Sequence, residues 1–86
     1  MWAVEFEADA AKTFRKLDGS TQRTIQAKLT ETAKLSDPGA LAKPLMHDQK
    51  GRWRLRVGPW RVLFRMERQV LVIVVVEIGK RDAVYG

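Results

Sequence analysis

Residues 52–66 constrain the fold of this chain more than any other stretch. Arg52-Trp53-Arg54-Leu55-Arg56-Val57 alternates strictly between cationic and apolar residues, the period of a β-strand, so its three arginines share one face. Gly58-Pro59 follows, and then Trp60-Arg61-Val62-Leu63-Phe64-Arg65-Met66. A two-residue loop with glycine first fits a type II′ turn, which needs positive φ at that position. Pairing outward from the turn sets Val57 opposite Trp60, Arg56 opposite Arg61, Leu55 opposite Val62 and Trp53 opposite Phe64. One face is then Trp53, Leu55, Val57, Trp60, Val62 and Phe64. The other carries Arg52, Arg54, Arg56, Arg61 and Arg65, interrupted only by Leu63. A slip of one residue would mix the two faces, so the pattern fixes its own register.

The rest of the chain supplies what this hairpin packs against. Trp2–Glu7 alternates and predicts a short strand. Ala10, Phe14 and Leu17 then recur at helical spacing, and so do Ile25, Leu29 and Thr32. Asp18-Gly19-Ser20 ends the first helix and offers a capping oxygen, from Asp18 or Ser20, to the second. Ser36-Asp37-Pro38-Gly39 stops the second, because proline cannot continue a helix. Helices are thus predicted at about 8–18 and 19–36, and strands near 2–7, 51–57, 60–67 and 69–78, with residues 39–50 a loop. Val70–Ile78 is apolar on both faces and is expected to be a central strand. The predicted fold is α+β: an N-terminal strand, a two-helix hairpin and a three-stranded antiparallel meander, with the helices on one face of the sheet. Residues 1–86 read as one domain, without internal repeat or low-complexity tract.

Charge and composition narrow the function. The net charge is +6. Residues 1–49 hold seven Lys/Arg and seven Asp/Glu, whereas residues 50–86 hold nine against three, so the whole excess lies in the C-terminal part. Such asymmetry points to a polyanionic partner, nucleic acid or acidic protein, or else to a basic face that aids solubility. Cysteine is absent, which excludes disulfides and thiolate metal sites and suits a reducing cytoplasm. The N-terminus lacks the pattern of a signal peptide, and the longest apolar run is too short to span a bilayer. No P-loop, GxGxxG, HExxH or nucleophile elbow is present, and no metal or cofactor is expected.

Among candidate functional residues the arginine face stands out. Like charges directly opposite in a sheet cost about 0.2–1 kcal/mol per pair. Protective charge against edge-to-edge aggregation is one reason to carry them. A grip on phosphates through bidentate guanidinium contacts is another, and the density of arginines favours it. His47, the sole histidine, has no partner at metal-ligand spacing and reads as a solvated loop residue. Trp53 and Trp60 could stack on bases, but their parity puts them on the apolar face, so core is the better reading.

These elements, in this order, resemble the RelE/ParE toxin superfamily over essentially the whole chain. Phe14-Arg15-Lys16-Leu17-Asp18 resembles the end of that family's first helix. Trp53-Arg54-Leu55-Arg56-Val57-Gly58-Pro59-Trp60-Arg61-Val62 is similar to its hairpin. Val75-Val76-Glu77-Ile78-Gly79-Lys80-Arg81 with Tyr85 is similar to its closing segment. The resemblance implies the toxin of a type II toxin–antitoxin pair: a ribosome-dependent mRNA endoribonuclease in the RelE branch, or a DNA gyrase inhibitor without nuclease activity in the ParE branch. A repressor subunit that binds nucleic acid only with its antitoxin is a third possibility. The RelE branch is favoured by Arg61, Arg81 and Tyr85 together. It attacks with the mRNA's own 2′-hydroxyl and leaves a 2′,3′-cyclic phosphate.

Carried over by position, the resemblance implies catalytic roles for Arg61, Arg81 and Tyr85. RNA contacts are expected from Arg52, Arg54, Arg56, Arg65 and Lys80. Arginine stays protonated at physiological pH, so none of the arginines can be the general base. Either Tyr85 takes that role, or the ribosome-held geometry supplies the rate without a strong base. The implied partners are the ribosome and mRNA, and a small cognate antitoxin with an acidic segment and an amphipathic helix. Operator DNA would be reached only through that antitoxin, and the implied location is the cytoplasm.

Overall fold

The structure, a computed structural model, describes residues 1–80. Its elements run β1 (Ala3–Phe6), α1 (Ala8–Lys16), α2 (Gly19–Ala33), a 3₁₀ turn (Pro38–Leu41), β2 (Lys43–Pro44), β3 (Trp53–Val57), β4 (Trp60–Glu67) and β5 (Val72–Lys80). The strands form one sheet in the order β1-β5-β4-β3-β2, antiparallel except that β1 pairs parallel with β5. The architecture is the expected α+β arrangement of a helix hairpin on one face of a mainly antiparallel sheet.

Register follows from side-chain pattern as anticipated. Val57 pairs Trp60, Arg56 pairs Arg61, Leu55 pairs Val62 and Trp53 pairs Phe64. Gly58 has φ of 59°. The proline ring locks Pro59 at negative φ, so the two-residue loop is type II′ rather than I′. Leu55, Val62, Phe64, Ile73 and Val75 are fully buried beneath the helices with Ile25 and Leu29 of α2 and Ala10 of α1. Phe14, Trp53 and Trp60 pack against this core while remaining half-buried. Phe6 and Phe14 meet with ring centroids 5.2 Å apart. Trp2 pins β1 to the end of α2, donating its backbone N–H to the Ala33 carbonyl at 2.8 Å and its indole N–H to Ser36 at 3.3 Å.

Local chemistry sets the helix ends. Asp18 caps α2, its carboxylate accepting from the Thr21 backbone N–H at 3.4 Å and from the Thr21 hydroxyl. Leu17 takes extended geometry and closes α1 before residue 18, and α2 ends at Ala33, so both helices are shorter than their sequence pattern. Thr32, buried on the core face of α2, satisfies its hydroxyl on the Lys28 carbonyl at 2.7 Å. The span read as a loop, 39–50, is partly ordered: the 3₁₀ turn leads into β2, which covers the free edge of β3 with the pairs Lys43–Arg54 and Pro44–Trp53. Sequence pattern missed β2 because two residues carry no period.

The last strand is flanked on both sides, by β1 and β4, as its apolar character requires. Its ladder with β4 shifts register once. Leu63 pairs Glu77, yet Phe64 pairs Val75, so Val76 is an extra residue and β5 carries a bulge. No helix among the described residues is long and apolar enough to cross a membrane.

Candidate nucleic-acid interface

The sheet face away from the helices collects the cations. Following the ladders across it, Lys43 on β2 lies beside Arg54, then Leu63, then Glu77. One rung toward the turn, Arg56 lies beside Arg61, which faces Gly79 on β5. Arg65 pairs Val74 toward the opposite end. The structure therefore brings Arg52, Arg54, Arg56, Arg61 and Arg65 onto one helix-free surface and adds Lys43, which sequence reading left in a loop.

The arginines differ in exposure, and one expectation needs correcting. Alternation alone predicts that Arg52, Arg54, Arg56 and Arg61 share a face open to solvent. Arg56 is exposed, and Arg52 and Arg54 are half-buried, but Arg61 is only 7% exposed. Arg61 stands on an interior strand between Arg56 and the side-chain-free Gly79, where a long side chain can lie along the sheet. Leu63, two residues on, is also buried, at 3%. Its neighbours across and along the strands include Arg54, Arg61 and Arg65, whose aliphatic stems can shield it.

Two arginines are held by carboxylates at the end of the sheet away from the turn. Asp48 accepts from the Arg52 backbone N–H at 2.8 Å, from its Nε at 3.1 Å and from its Nη2 at 3.3 Å. The Lys50 backbone N–H donates to the same carboxylate at 3.4 Å, so Asp48 organises the whole loop between β2 and β3. The Arg52 side chain, then its backbone N–H, holds the Asp48 carboxyl below the usual carboxylate range, against a smaller opposing effect of desolvation. Arg52 in turn keeps its proton more firmly, chiefly through that same hydrogen bond. Arg65 donates to Glu7, at the start of α1, and to Glu67 at 3.3 Å, and its proton is likewise held more firmly, with Glu7 the leading cause.

Shallow cavities border the arginines. One of about 700 Å³ lies between the 43–48 segment, His47 included, and Arg52 and Arg54. A second, of about 260 Å³, is lined by Glu7, Lys50, Arg52, Arg65, Val76 and Glu77. His47 is exposed in its loop with φ of 60°. Among the described residues no three His, Cys, Asp or Glu side chains cluster as a metal site would require.

Lys80 separates from the other predicted contacts. It pairs Trp60, and its Nζ lies 5.6 Å from the centroid of that ring, so it stands beside the core-facing tryptophan at the turn end of the sheet. Arg81 and Tyr85 lie outside the described residues. Glu77 was missed by sequence reading. A lone carboxylate in an apolar strand was the available signal, but the bulge that decides which way it points is invisible to alternation.

Comparison with known proteins gives this geometry a context. Residues 2–85 match the family model of the ParE toxin of the type II toxin–antitoxin system parDE. Compared with curated protein sequences, the chain has no significant match. Among solved structures, it is similar to the RelBE2 toxin–antitoxin complex from Mycobacterium tuberculosis, at TM-score 0.79 and 20% identity, covering 93% of this chain and 91% of that one. The isolated Escherichia coli RelE toxin gives TM-score 0.74 and 24% identity over 99% of this chain and 92% of that one. The RelE–RelB complex from Pyrococcus horikoshii gives TM-score 0.74 at 16% identity, covering 93% and 94%. At these identities the structural matches establish a shared fold.

Proposed function

The chain belongs to the ParE toxin family of type II toxin–antitoxin systems, and from that premise we propose that it arrests translation by cutting mRNA held on the ribosome. The observation that carries this reading is the helix-free face on which Lys43, Arg54, Arg56 and Arg61 stand in adjoining rungs of three strands. A row of cations at strand spacing suits the repeating charge of a single RNA strand, and guanidinium groups meet phosphate oxygens in pairs.

In this reading Arg54 and Arg56 bind phosphates flanking the cut. Arg61, shielded from water, stabilises the non-bridging oxygens as charge builds on phosphorus, because a charge donor is worth most where water is excluded. Arg81 stabilises the departing 5′-oxygen. Tyr85 orients the 2′-hydroxyl or stacks on its base. Arg52 and Arg65, tied to Asp48, Glu7 and Glu67, shape the far end of the face, and Lys80 serves its flank beside Trp60. The M. tuberculosis and P. horikoshii relatives are toxin–antitoxin complexes. By the same logic this chain takes a small antitoxin whose acidic segment covers the arginines and whose amphipathic helix docks beside them, and it meets operator DNA only through that partner.

A second reading, inhibition of DNA gyrase without nuclease chemistry, is favoured by the ParE identity of the matching family model. Two assays on the purified chain separate them: cleavage of a short mRNA on a programmed ribosome, and gyrase supercoiling. The expected result is RNA cleavage with gyrase unaffected, and loss of about 10²–10³ in rate for Arg61→Ala, the usual effect of removing one preorganised charge donor. Inhibited gyrase and intact mRNA would replace the first reading with the second.

A further inference from the structure

The bulge in β5 has a consequence for chemistry. Val75 and Ile78 are both buried under the helices, although three positions apart, because the extra residue Val76 resets the alternation between them. Both residues between them, Val76 and Glu77, are thereby turned to the arginine face, where they line one cavity with Arg52 and Arg65. In an unbroken strand Glu77 would share the parity of Val75 and point into the core. Bulges forfeit ladder pairing and recur where a side chain must be re-aimed, often beside active sites.

Glu77 then stands in the middle of the cations. It pairs Leu63, so Arg61 and Arg65 are its diagonal neighbours on β4. Arg52, just before β3, attracts it, and Lys50 and Glu7 line the same cavity, with Glu5 on β1 beyond Val74. Among the described residues the ion pairs on this face engage Asp48, Glu7 and Glu67, and Glu77 takes no part in them. It is exposed to whatever the face binds. Diagonal neighbours across antiparallel strands sit about 7–8 Å apart at their backbones, close enough for the tips of long side chains to meet one ligand. Arg61 and Glu77 can therefore address the same ribose phosphate, one as charge donor and the other as proton acceptor.

We propose that Glu77, aimed outward by the bulge between Arg61 and Arg65, is the general base that takes the proton of the attacking 2′-hydroxyl. This rests on the nuclease reading above. The 2′-hydroxyl proton passes to the Glu77 carboxylate while the oxygen's electron pair forms the O2′–P bond. The P–O5′ bond breaks with its electron pair on O5′, which takes a proton from solvent, and Glu77 afterwards returns its proton to solvent. The products are a 2′,3′-cyclic phosphate and a 5′-hydroxyl, with atoms and charge balanced. The role assigns to a carboxylate the step that no arginine can perform and leaves Tyr85 to orient or stack.

The test is single-turnover cleavage of a short mRNA on programmed ribosomes by the full chain, with ribosome binding measured alongside. Glu77→Gln keeps the size of the side chain, and it makes the face more positive, so it cannot slow cleavage by weakening attraction to RNA. We expect it to lose about 10²-fold or more in rate, the usual worth of a positioned base. Its rate should also rise more steeply with pH than the parent's, because hydroxide must replace the missing base. Glu77→Ala should regain rate when formate is added, and Glu77→Asp should fall between parent and Glu77→Gln. Parent-like cleavage by Glu77→Gln would overturn the proposal, and so would a slow variant whose pH dependence parallels the parent's and which formate does not rescue. A parent chain that cuts no mRNA would instead remove the nuclease reading itself.

Discussion

Gly39 sits where the edge of the sheet is held together, and replacing it with alanine tests that arrangement quantitatively. A methyl group added there would lie 2.9 Å from both Cη2 and Cζ3 of Trp53 and 3.2 Å from Asp37 Oδ1, inside any ordinary contact distance. Neither neighbour yields freely. The Trp53 ring is packed against the core, and Asp37 is engaged by the Gly39 backbone N–H at 3.0 Å, capping the 3₁₀ turn. Overpacking of this kind costs about 1–3 kcal/mol. Loss of glycine's freedom in the unfolded chain returns about 0.4–1 kcal/mol, since the native φ of Gly39 lies outside the left-handed region. A net loss of about 1–2 kcal/mol should lower Tm by roughly 5–15 °C in a chain of this size. Thermal and urea unfolding followed by circular dichroism would measure it. In a Trp53→Leu background the clashing ring is gone, so Gly39→Ala should become neutral or slightly stabilising, and the double-mutant cycle should return most of the cost as coupling. If Gly39→Ala costs as much without the ring as with it, Trp53 is not what the glycine accommodates.

Other consequences follow from the same geometry. Asp48 has its folded-state ionisation pulled below the ordinary range by Arg52, so its contribution to stability is present above about pH 4 and is lost as pH falls through the folded-state value. Urea unfolding of the parent and of Asp48→Asn should therefore differ at neutral pH and converge in acid. The capping Asp18, lowered mainly by the Thr21 hydroxyl, should keep its own acid dependence in that variant. If Arg54 and Arg56 each contact a phosphate, Arg54→Ala and Arg56→Ala should each flatten the plot of log affinity for single-stranded RNA against log salt by about 0.7. Unchanged slopes would mean these side chains do not touch the backbone. Gly58→Ala must place a Cβ at positive φ with nothing crowding it, so it should cost about 1–2 kcal/mol and leave RNA contacts elsewhere on the face unaltered.

The hairpin was legible because its two faces differ in charge as well as hydropathy. Arginine against leucine, valine and phenylalanine at period two leaves one register, and the pairs from Trp53–Phe64 to Val57–Trp60 are those the sequence demands. The helix hairpin was legible from Ile25, Leu29 and Thr32 for the same reason. Three features were not. The two residues of β2 carry no pattern, and they are strand only because the 3₁₀ turn delivers Lys43 and Pro44 to the edge of β3. The burial of Arg61 depends on Gly79 facing it from a strand distant in sequence. The orientation of Glu77 depends on one extra residue in a run, Val72–Val76, whose side chains are all apolar, so that no alternation marks the bulge.

The placement of carboxylates along the arginine face bears on how a chain with this charge can fold and still act. Arg56 beside Arg61 costs a fraction of a kcal/mol to about 1 kcal/mol in repulsion before anything is bound. Asp48, Glu7 and Glu67 offset part of the like-charge field, but from the end of the sheet away from the Gly58-Pro59 turn, through Arg52 and Arg65. Ion pairs at a protein surface contribute little stability each. What they fix is direction, because Arg52 and Arg65 are drawn toward their own carboxylates and away from the Arg56–Arg61 rung. Glu77, one rung away from Arg61, lies between that rung and the end of the face held by Arg52 and Arg65. On the nuclease reading, an RNA strand lying across the Arg54, Arg56 and Arg61 rungs would carry its ribose past Glu77, which the bulge turns to the same face, and that is where the proposed base has to stand.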